Sequence, residues 1–261
     1  MTTEPLRLRR EGAVLEVTLD RPKANAIDAA TSRRMGQLFA SFRDDPELRV
    51  AIVTGAGERF FSAGWDLKAA AAGEAPDEDF GVGGFAGLQQ LPGLGKPVIA
   101  AVNGMAVGGG FELALSCDLI LAAEHARFAL PEINAGTLAD AATVKLPRRM
   151  PYHVAMELLL TGRWMEAEEA RRWGLVNEVL PAERLLERAW EIARTLAEGP
   201  PLVFAAIKEV VRETWNLPEQ EAIARIAAKA FPTVERLYAS EDQKEGARAF
   251  AEKRKPVWKG R

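Results

Sequence analysis

Three short apolar runs constrain this chain more than anything else in it. Val50-Ala-Ile-Val-Thr54, Pro97-Val-Ile-Ala-Ala-Val102 and Leu119-Ile-Leu-Ala-Ala-Glu124 are almost continuously hydrophobic. A strand with one buried face alternates apolar and polar residues. A run without alternation is buried on both faces, as in a parallel sheet covered by helices. Val14-Leu-Glu-Val-Thr-Leu19 adds a strand with apolar alternation. Asp28 is placed to cap a helix in which Met35, Leu38, Phe39 and Phe42 recur at helical spacing, closed by Asp45-Pro46. Strands alternating with helices define the α/β class.

From about residue 150 the pattern turns helical. Glu166 to Trp173 reads as a helix stopped by Gly174, and Leu175-Val-Asn-Glu-Val-Leu180 as a last strand. Residues 183–197, 202–215, 219–230 and 240–252 read as helices divided by Gly199-Pro-Pro201, Pro218 and Pro232. A helical tail of this length needs a surface to pack on, either the α/β core or another subunit. Residues 69–95, rich in Ala and Gly, read mostly as a mobile loop, equally a surface insertion or a lid. No repeat of domain-building period is visible.

Composition narrows the function. With 34 Lys+Arg against 37 Asp+Glu the net charge is −3, which gives no footprint for nucleic acid or an anionic membrane. Cys117 is the single cysteine, so no internal disulfide forms, and a reducing compartment, the cytoplasm, is expected. The two histidines, His125 and His153, lack motif neighbours, so no metal centre is expected. No leader or membrane-length apolar segment is read.

The chemistry concentrates after the second apolar run. Asn103-Gly-Met-Ala-Val-Gly-Gly-Gly-Phe-Glu112 leads from a strand through three glycines into a helix. Glycines allow close backbone approach, and free N–H groups at a helix start can bind an anion or a developing oxyanion. The Gly-Lys-Ser/Thr ending of a phosphate loop is missing. Glu112 reads either as an acid–base group or as a first-turn acid favouring the helix dipole. Glu132, after Phe128-Ala-Leu-Pro131, sits in an apolar setting where a carboxylate is costly unless used or paired. Two such acids on loops leaving one sheet suit general acid–base chemistry. Asp140 reads as a third acid or, preferably, the cap of a helix over 141–149. Ser62-Ala63-Gly64 could offer further backbone N–H groups, with Asp66 capping the next helix. Gly81-Val-Gly-Gly-Phe-Ala86 follows no strand, which counts against a dinucleotide site. The tail from Lys253 to Arg261 carries five positive charges and reads as a solvated end or a contact for a ligand phosphate.

Together these segments resemble the crotonase superfamily, the enoyl-CoA hydratases and isomerases. Asp20-Arg-Pro-Lys-Ala-Asn-Ala26, Phe61-Ser-Ala-Gly-Trp-Asp-Leu67, Lys96-Pro-Val-Ile-Ala-Ala-Val-Asn-Gly104, Gly108-Gly-Gly-Phe-Glu-Leu-Ala114 and Phe128-Ala-Leu-Pro-Glu132 occur in that family's order. Gly73-Glu-Ala-Pro76 and the ending Ala251-Glu-Lys-Arg-Lys-Pro-Val-Trp-Lys-Gly-Arg261 resemble the branch that hydrates crotonobetainyl-CoA. The resemblance implies a spiral of ββα turns over residues 1–195 and a helical oligomerisation region over 196–261 that builds homotrimers or homohexamers. It implies an acyl-CoA thioester substrate, with coenzyme A as part of the substrate and no separate cofactor. Glu112 and Glu132 become the acid–base pair, Glu112 toward water and Glu132 toward Cα. The N–H groups of Ala63 and Gly109 become the oxyanion hole. Lys23, Ala24, Ala26, Gly64, Trp65, Asp66 and Leu67 become the substrate-binding loops. Asp140 becomes an acyl-pocket residue. Ala139, Ala141 and Ala142 depart from the family's Gly/Pro-rich turn, which keeps an isomerase or another acyl specificity open. A trimethylammonium acyl group would call for an aromatic face or a carboxylate, with Trp65, Asp140 and the acids Glu74, Asp77, Glu78 and Asp79 as candidates. A non-catalytic binding protein on this fold is the contrasting class, and retention of both glutamates counts against it.

Overall fold

The structure is a computed structural model and describes residues 4–75 and 78–261. It opens with a hairpin, β1 (Leu6–Glu11) against β2 (Val14–Leu19), followed by α1 (Ala29–Asp44). Asp28 caps α1 by accepting the Thr31 N–H at 2.7 Å, and Met35, Phe39 and Phe42 are buried beneath it.

Three turns then follow one plan. β3 (Val50–Gly55), β4 (Phe60–Ser62) and α2 (Leu67–Ala71) form the first, and β5 (Val98–Val102), β6 (Met105–Val107) and α3 (Gly109–Leu115) the second. β7 (Leu119–Ala123), β8 (Arg127–Ala129) and α4 (Glu132–Ala135) form the third. The first strands, β3, β5 and β7, lie side by side and parallel; so do β4, β6 and β8 in a second sheet. Each turn thus lays one strand in each sheet and then a helix. α5 (Asp140–Lys145), α6 (Tyr152–Thr161), β9 (Met165–Glu166), α7 (Ala167–Arg172) and β10 (Glu178–Leu180) complete the spiral. The sheets then read β1-β2-β3-β5-β7-β10 and β4-β6-β8-β9.

Every residue of β3 and β5 is buried, as continuous apolar runs require. α8 (Ala182–Ala197) closes one face through Leu185, Ala189, Trp190 and Ala193. Two asparagines, Asn25 buried and Asn103 half-buried, hold the strand ends. Asn25 Nδ2 donates to the carbonyls of Ala56 and Phe60, and Asn103 Nδ2 to those of Gly55 and Gly57.

Two expectations need correction here. Residues 83–91 are not a loose loop. Ala86, Gly87, Leu88 and Leu91 are buried, and Ser32 of α1 accepts the Ala86 N–H at 3.1 Å. A Cβ on Gly87 would come within 2.4 Å of the Gly36 nitrogen, so glycine lets this segment lie directly on α1. Pro232 does not merely divide helices. It begins α11, where the first turn needs no proline N–H.

The helices after α8 are α9 (Pro201–Thr214), α10 (Glu219–Ala227), α11 (Pro232–Ala239) and α12 (Asp242–Ala251). α9 and α11 form a small core of Ala206, Phe231 and Val234, separate from the main one, with Ile226 of α10 packed against it. Lys208 ties α9 to the spiral by donating to Asp118 at 2.7 Å. The basic tail is not a free end. Asp242 accepts the N–H groups of Lys259 and Gly260, and Glu245 accepts that of Val257, so the tail folds back on α12. No helix among the described residues is long and apolar enough to cross a membrane.

Candidate active site

The site is built where the first and second turns touch. Gly64 has φ +78°, and a Cβ there would lie 2.5 Å from the Val107 carbonyl and 2.7 Å from the Gly109 nitrogen. Only glycine lets the loop after β4 lie this close to the start of α3. The loop's N–H groups are then sorted by what they meet. Ala63 N–H donates to the Ala24 carbonyl at 2.9 Å, and Gly64 N–H to Ser62 Oγ at 3.1 Å. Trp65 N–H, next along, meets no acceptor among the described residues, and neither does Gly109 N–H at the first position of α3. Ala63 is therefore unsuited to an oxyanion hole, because its N–H is already engaged. Among the described residues, Trp65 and Gly109 each present a free N–H donor on the touching segments.

Both glutamates reach this place by different routes. Glu112 lies in the first turn of α3, whose seven residues are all buried. Its Oε1 accepts the Ala142 N–H at 2.8 Å and its Oε2 accepts from Gln89 Nε2 at 3.0 Å. Burial raises its pKa above the usual carboxylate value, while these two donors pull the other way. Glu132 begins α4 and leans over Gly108, with Oε1 2.5 Å from where a Gly108 Cβ would stand. Its Oε2 is buried with no hydrogen-bond partner among the described residues. Burial pushes the Glu132 carboxyl up to about 7, with the charges of Glu112 and Asp140 adding to the rise.

These groups line a cleft of about 560 Å³. Trp65, Gly109, Glu112, Glu132 and Asp140 are in its wall, so the structure brings together five residues singled out in the sequence. Asp140 is not a cap. It is the first residue of α5, Ala139 holds the cap position, and no side chain caps the helix. The Ala-rich turn that departs from the family pattern supplies the Ala142 N–H that Glu112 accepts. Lys23, Ala24, Ala26, Gly64, Asp66 and Leu67 lie outside the cleft wall. Gly64 acts by its closeness to Gly109, and Asp66 caps α2 through the Lys68 N–H at 3.0 Å. Glu74 is committed as well: its oxygens accept Trp65 Nε1 at 2.7 Å and the Ala29 N–H at 2.9 Å. Asp77 lies outside the described residues.

Gln89, Phe80, Phe85 and Lys145 also line the cleft. Sequence reasoning passed over them because they sit in segments read as loop or helix. Burial lowers the Lys145 ammonium to about 8, and its Nζ donates to Ser116 Oγ at 2.7 Å. Cys117, just past α3, is buried, and burial pushes its thiol up to about 12, so it is inert. Two free N–H donors beside one hydrogen-bonded carboxylate and one protonatable carboxyl can stabilise an oxyanion while moving protons on both sides of it.

Comparison with known proteins gives the family and the fold. Residues 9–261 match the enoyl-CoA hydratase/isomerase family. A carnitinyl-CoA dehydratase of Citrobacter koseri is 57% identical over 260 residues, covering 99% of this chain and 100% of that protein. One of Salmonella typhi has the same identity and coverage. Among solved structures, an enoyl-CoA hydratase of Mycobacterium tuberculosis superimposes with a TM-score of 0.89 at 39% identity, over 99% of this chain and 100% of that one. A carnitinyl-CoA hydratase of Mycobacterium avium does so with a TM-score of 0.76 at 40% identity, over the full length of both.

Proposed function

The chain belongs to the enoyl-CoA hydratase/isomerase family, and we propose that it hydrates crotonobetainyl-CoA reversibly to carnitinyl-CoA. The observation that carries the reaction is the unequal pair of buried carboxyls beside two free N–H groups. Glu112, with donors on both oxygens, is the base. It takes a proton from water as the water oxygen bonds to Cβ. The electron pair of the C=C bond moves toward the thioester, and the enolate oxygen is held by the N–H groups of Trp65 and Gly109. Such donors are each worth on the order of 3 kcal/mol in related acyl chemistry. Glu132, protonated near neutral pH, delivers its proton to Cα. Water has then been added across the double bond, and proton exchange between the carboxyls and solvent resets the pair.

The acyl assignment is supported by the 57% identical dehydratases and by the charge of the cleft. Among the described residues of the wall, Glu78, Asp79, Glu112 and Asp140 outnumber one cation, Lys145, which suits a cationic acyl group. Coenzyme A is assigned to Lys23, Ala24 and Ala26, because the Ala24 carbonyl holds Ala63 two residues before Trp65. No separate cofactor enters this scheme. Assembly into trimers or hexamers is assigned to the last helices, where Phe250 is 87% exposed and Ile207 and Trp215 also face outward. The unpaired Cys117 fits the cytoplasm.

The test is a steady-state assay with crotonobetainyl-CoA and crotonyl-CoA side by side, using Glu132→Gln as control. A preference of about tenfold in kcat/KM for crotonobetainyl-CoA, abolished in the control, supports the reading; tenfold is about 1.4 kcal/mol. A preference for crotonyl-CoA removes the acyl assignment and keeps the hydratase. No turnover of either removes both.

A further inference from the structure

Hydration leaves one wall of the cleft without a task. Phe80 and Phe85 stand edge to face there, with ring centroids 5.3 Å apart and planes at 79°. Phe85 packs on Gly109: a Cβ on that glycine would meet the ring edge at 2.3 Å. The aromatic pair therefore begins beside an N–H assigned to the thioester oxygen. The platform under it is rigid. Gly84 and Ala86 have φ of 67° and 53°, Ala86 N–H is held by Ser32, and a Cβ on Gly83 would strike the Gly87 carbonyl at 1.9 Å. Such close backbone packing fixes Phe85 instead of letting it swing away.

The charges around the pair are mostly acidic, with one cation beside them: the Arg33 guanidinium donates to the Asp79 carbonyl at 2.6 Å and leaves the carboxylate itself unpaired with it. Asp79 and Glu78 precede Phe80 and line the cleft. Lys145, the single cation among the described residues of the wall, is drawn aside to Ser116. Trp65 closes the same cleft with its polar edge tied to Glu74, so its indole N–H is not available to a ligand. A quaternary ammonium carries no N–H and cannot be recognised by hydrogen bonds. Aromatic rings and nearby carboxylates are what can hold it.

We propose that Phe80 and Phe85, with Asp79 beside them, form a quaternary-ammonium subsite that selects the trimethylammonium end of the acyl chain. In crotonobetainyl-CoA that end lies only a few bonds from the thioester, matching an aromatic pair that starts at Gly109. The subsite rests on the hydration reading above and adds to it the residues that discriminate charge.

The experiment compares crotonobetainyl-CoA with its uncharged isostere, in which tert-butyl replaces trimethylammonium. Both are assayed with the wild-type protein and with Phe80→Leu, Phe80→Trp and Asp79→Asn. The wild type is expected to favour the cation. Phe80→Leu is expected to lose about tenfold in kcat/KM on the cation, mainly through KM, and less than about twofold on the isostere. Phe80→Trp is expected to restore most of that loss, and Asp79→Asn to lose about threefold on the cation alone. Equal losses on both substrates, or none, overturn the subsite even if the enzyme is a hydratase. A wild type that hydrates the isostere and not the cation overturns the acyl assignment and the subsite with it. One that hydrates neither overturns the hydratase reading itself. Thermal melting of each variant separates a folding defect from a binding one, and the exposed Asp79 gives a second variant that does not disturb the core.

Discussion

The second and third turns of the spiral are built alike and finish in opposite electrostatic states. Each runs from a strand in the six-stranded sheet to a short strand in the other, and then into a helix with a glutamate in its first turn. Glu112 meets a donor on each oxygen, one from the backbone of α5 and one from Gln89. Glu132 meets none on Oε2 and holds its proton up to about pH 7. The same element thus yields a base or an acid according to what neighbouring segments donate to it. Burial alone would raise both carboxyls together. The difference in donors separates them, and separation is what acid–base chemistry at one pH needs.

The largest expected effect is loss of either acid. Glu112→Gln and Glu132→Gln are each expected to lower kcat by about a thousandfold, within the range for general acid–base groups. They should differ in how pH matters. Hydration needs Glu132 protonated, so the wild-type kcat/KM for hydration is expected to fall as pH rises through about 7. Dehydration needs it ionised and should rise over the same interval. If both directions fall together above neutral pH, Glu132 is not the group that moves the Cα proton. Gly109→Ala comes next, with an expected loss of about a hundredfold in kcat/KM. The new Cβ would strike the Phe85 ring and move the N–H that α3 presents. Steady-state kinetics with an unchanged melting temperature would assign that loss to the donor and not to unfolding.

How much of this was legible in the sequence depended on how local the cause was. The strands of the larger sheet were readable because burial on both faces leaves an uninterrupted apolar run. Their partners at Phe60–Ser62, Met105–Val107 and Arg127–Ala129 are three residues each, too short for alternation to show. The spiral repeat left no sequence period because its first strands begin at Val50, Val98 and Leu119, at unequal intervals. Glu112 and Glu132 stood out by residue type and by resemblance. The engagement of Ala63 N–H did not, since its acceptor, Ala24, lies on a loop far back in the chain. Gln89 and the Ala142 N–H were invisible for the same reason: nothing near either in sequence marks it as a partner of Glu112.

The third prediction concerns stability and reads the comparison without substrate. Glu132 binds its proton more tightly folded than unfolded. Its contribution to stability is fully present below pH about 4.5 and is lost as pH rises through about 7. Glu132→Gln does not titrate. The variant is therefore expected to gain on the wild type between pH 5 and pH 8, by on the order of 2 kcal/mol after allowing for partial exposure. Melting curves at the two pH values check it, and a constant difference between the two proteins would show that Glu132 is not held protonated by the fold.

The smallest effect is the sharpest on the comparison. Gln89→Leu removes one of the two donors that distinguish Glu112 from Glu132 and leaves the carboxylate itself in place. A hydrogen bond to a charged group contributes about 1.5–3 kcal/mol, so kcat is expected to fall about tenfold or somewhat more. Because the lost donor favours the ionised form, the Glu112 pKa should rise, and the acid limb of the kcat/KM profile should shift to higher pH. Gln89→Glu should do the same more strongly, by facing one carboxylate with another. A fall in kcat without movement of the acid limb would mean that Gln89 only fills space. Movement without a large fall would mean that the Ala142 N–H alone keeps Glu112 aimed at water. In either case the inequality between the two turns would rest on fewer contacts than the two that the structure places on Glu112.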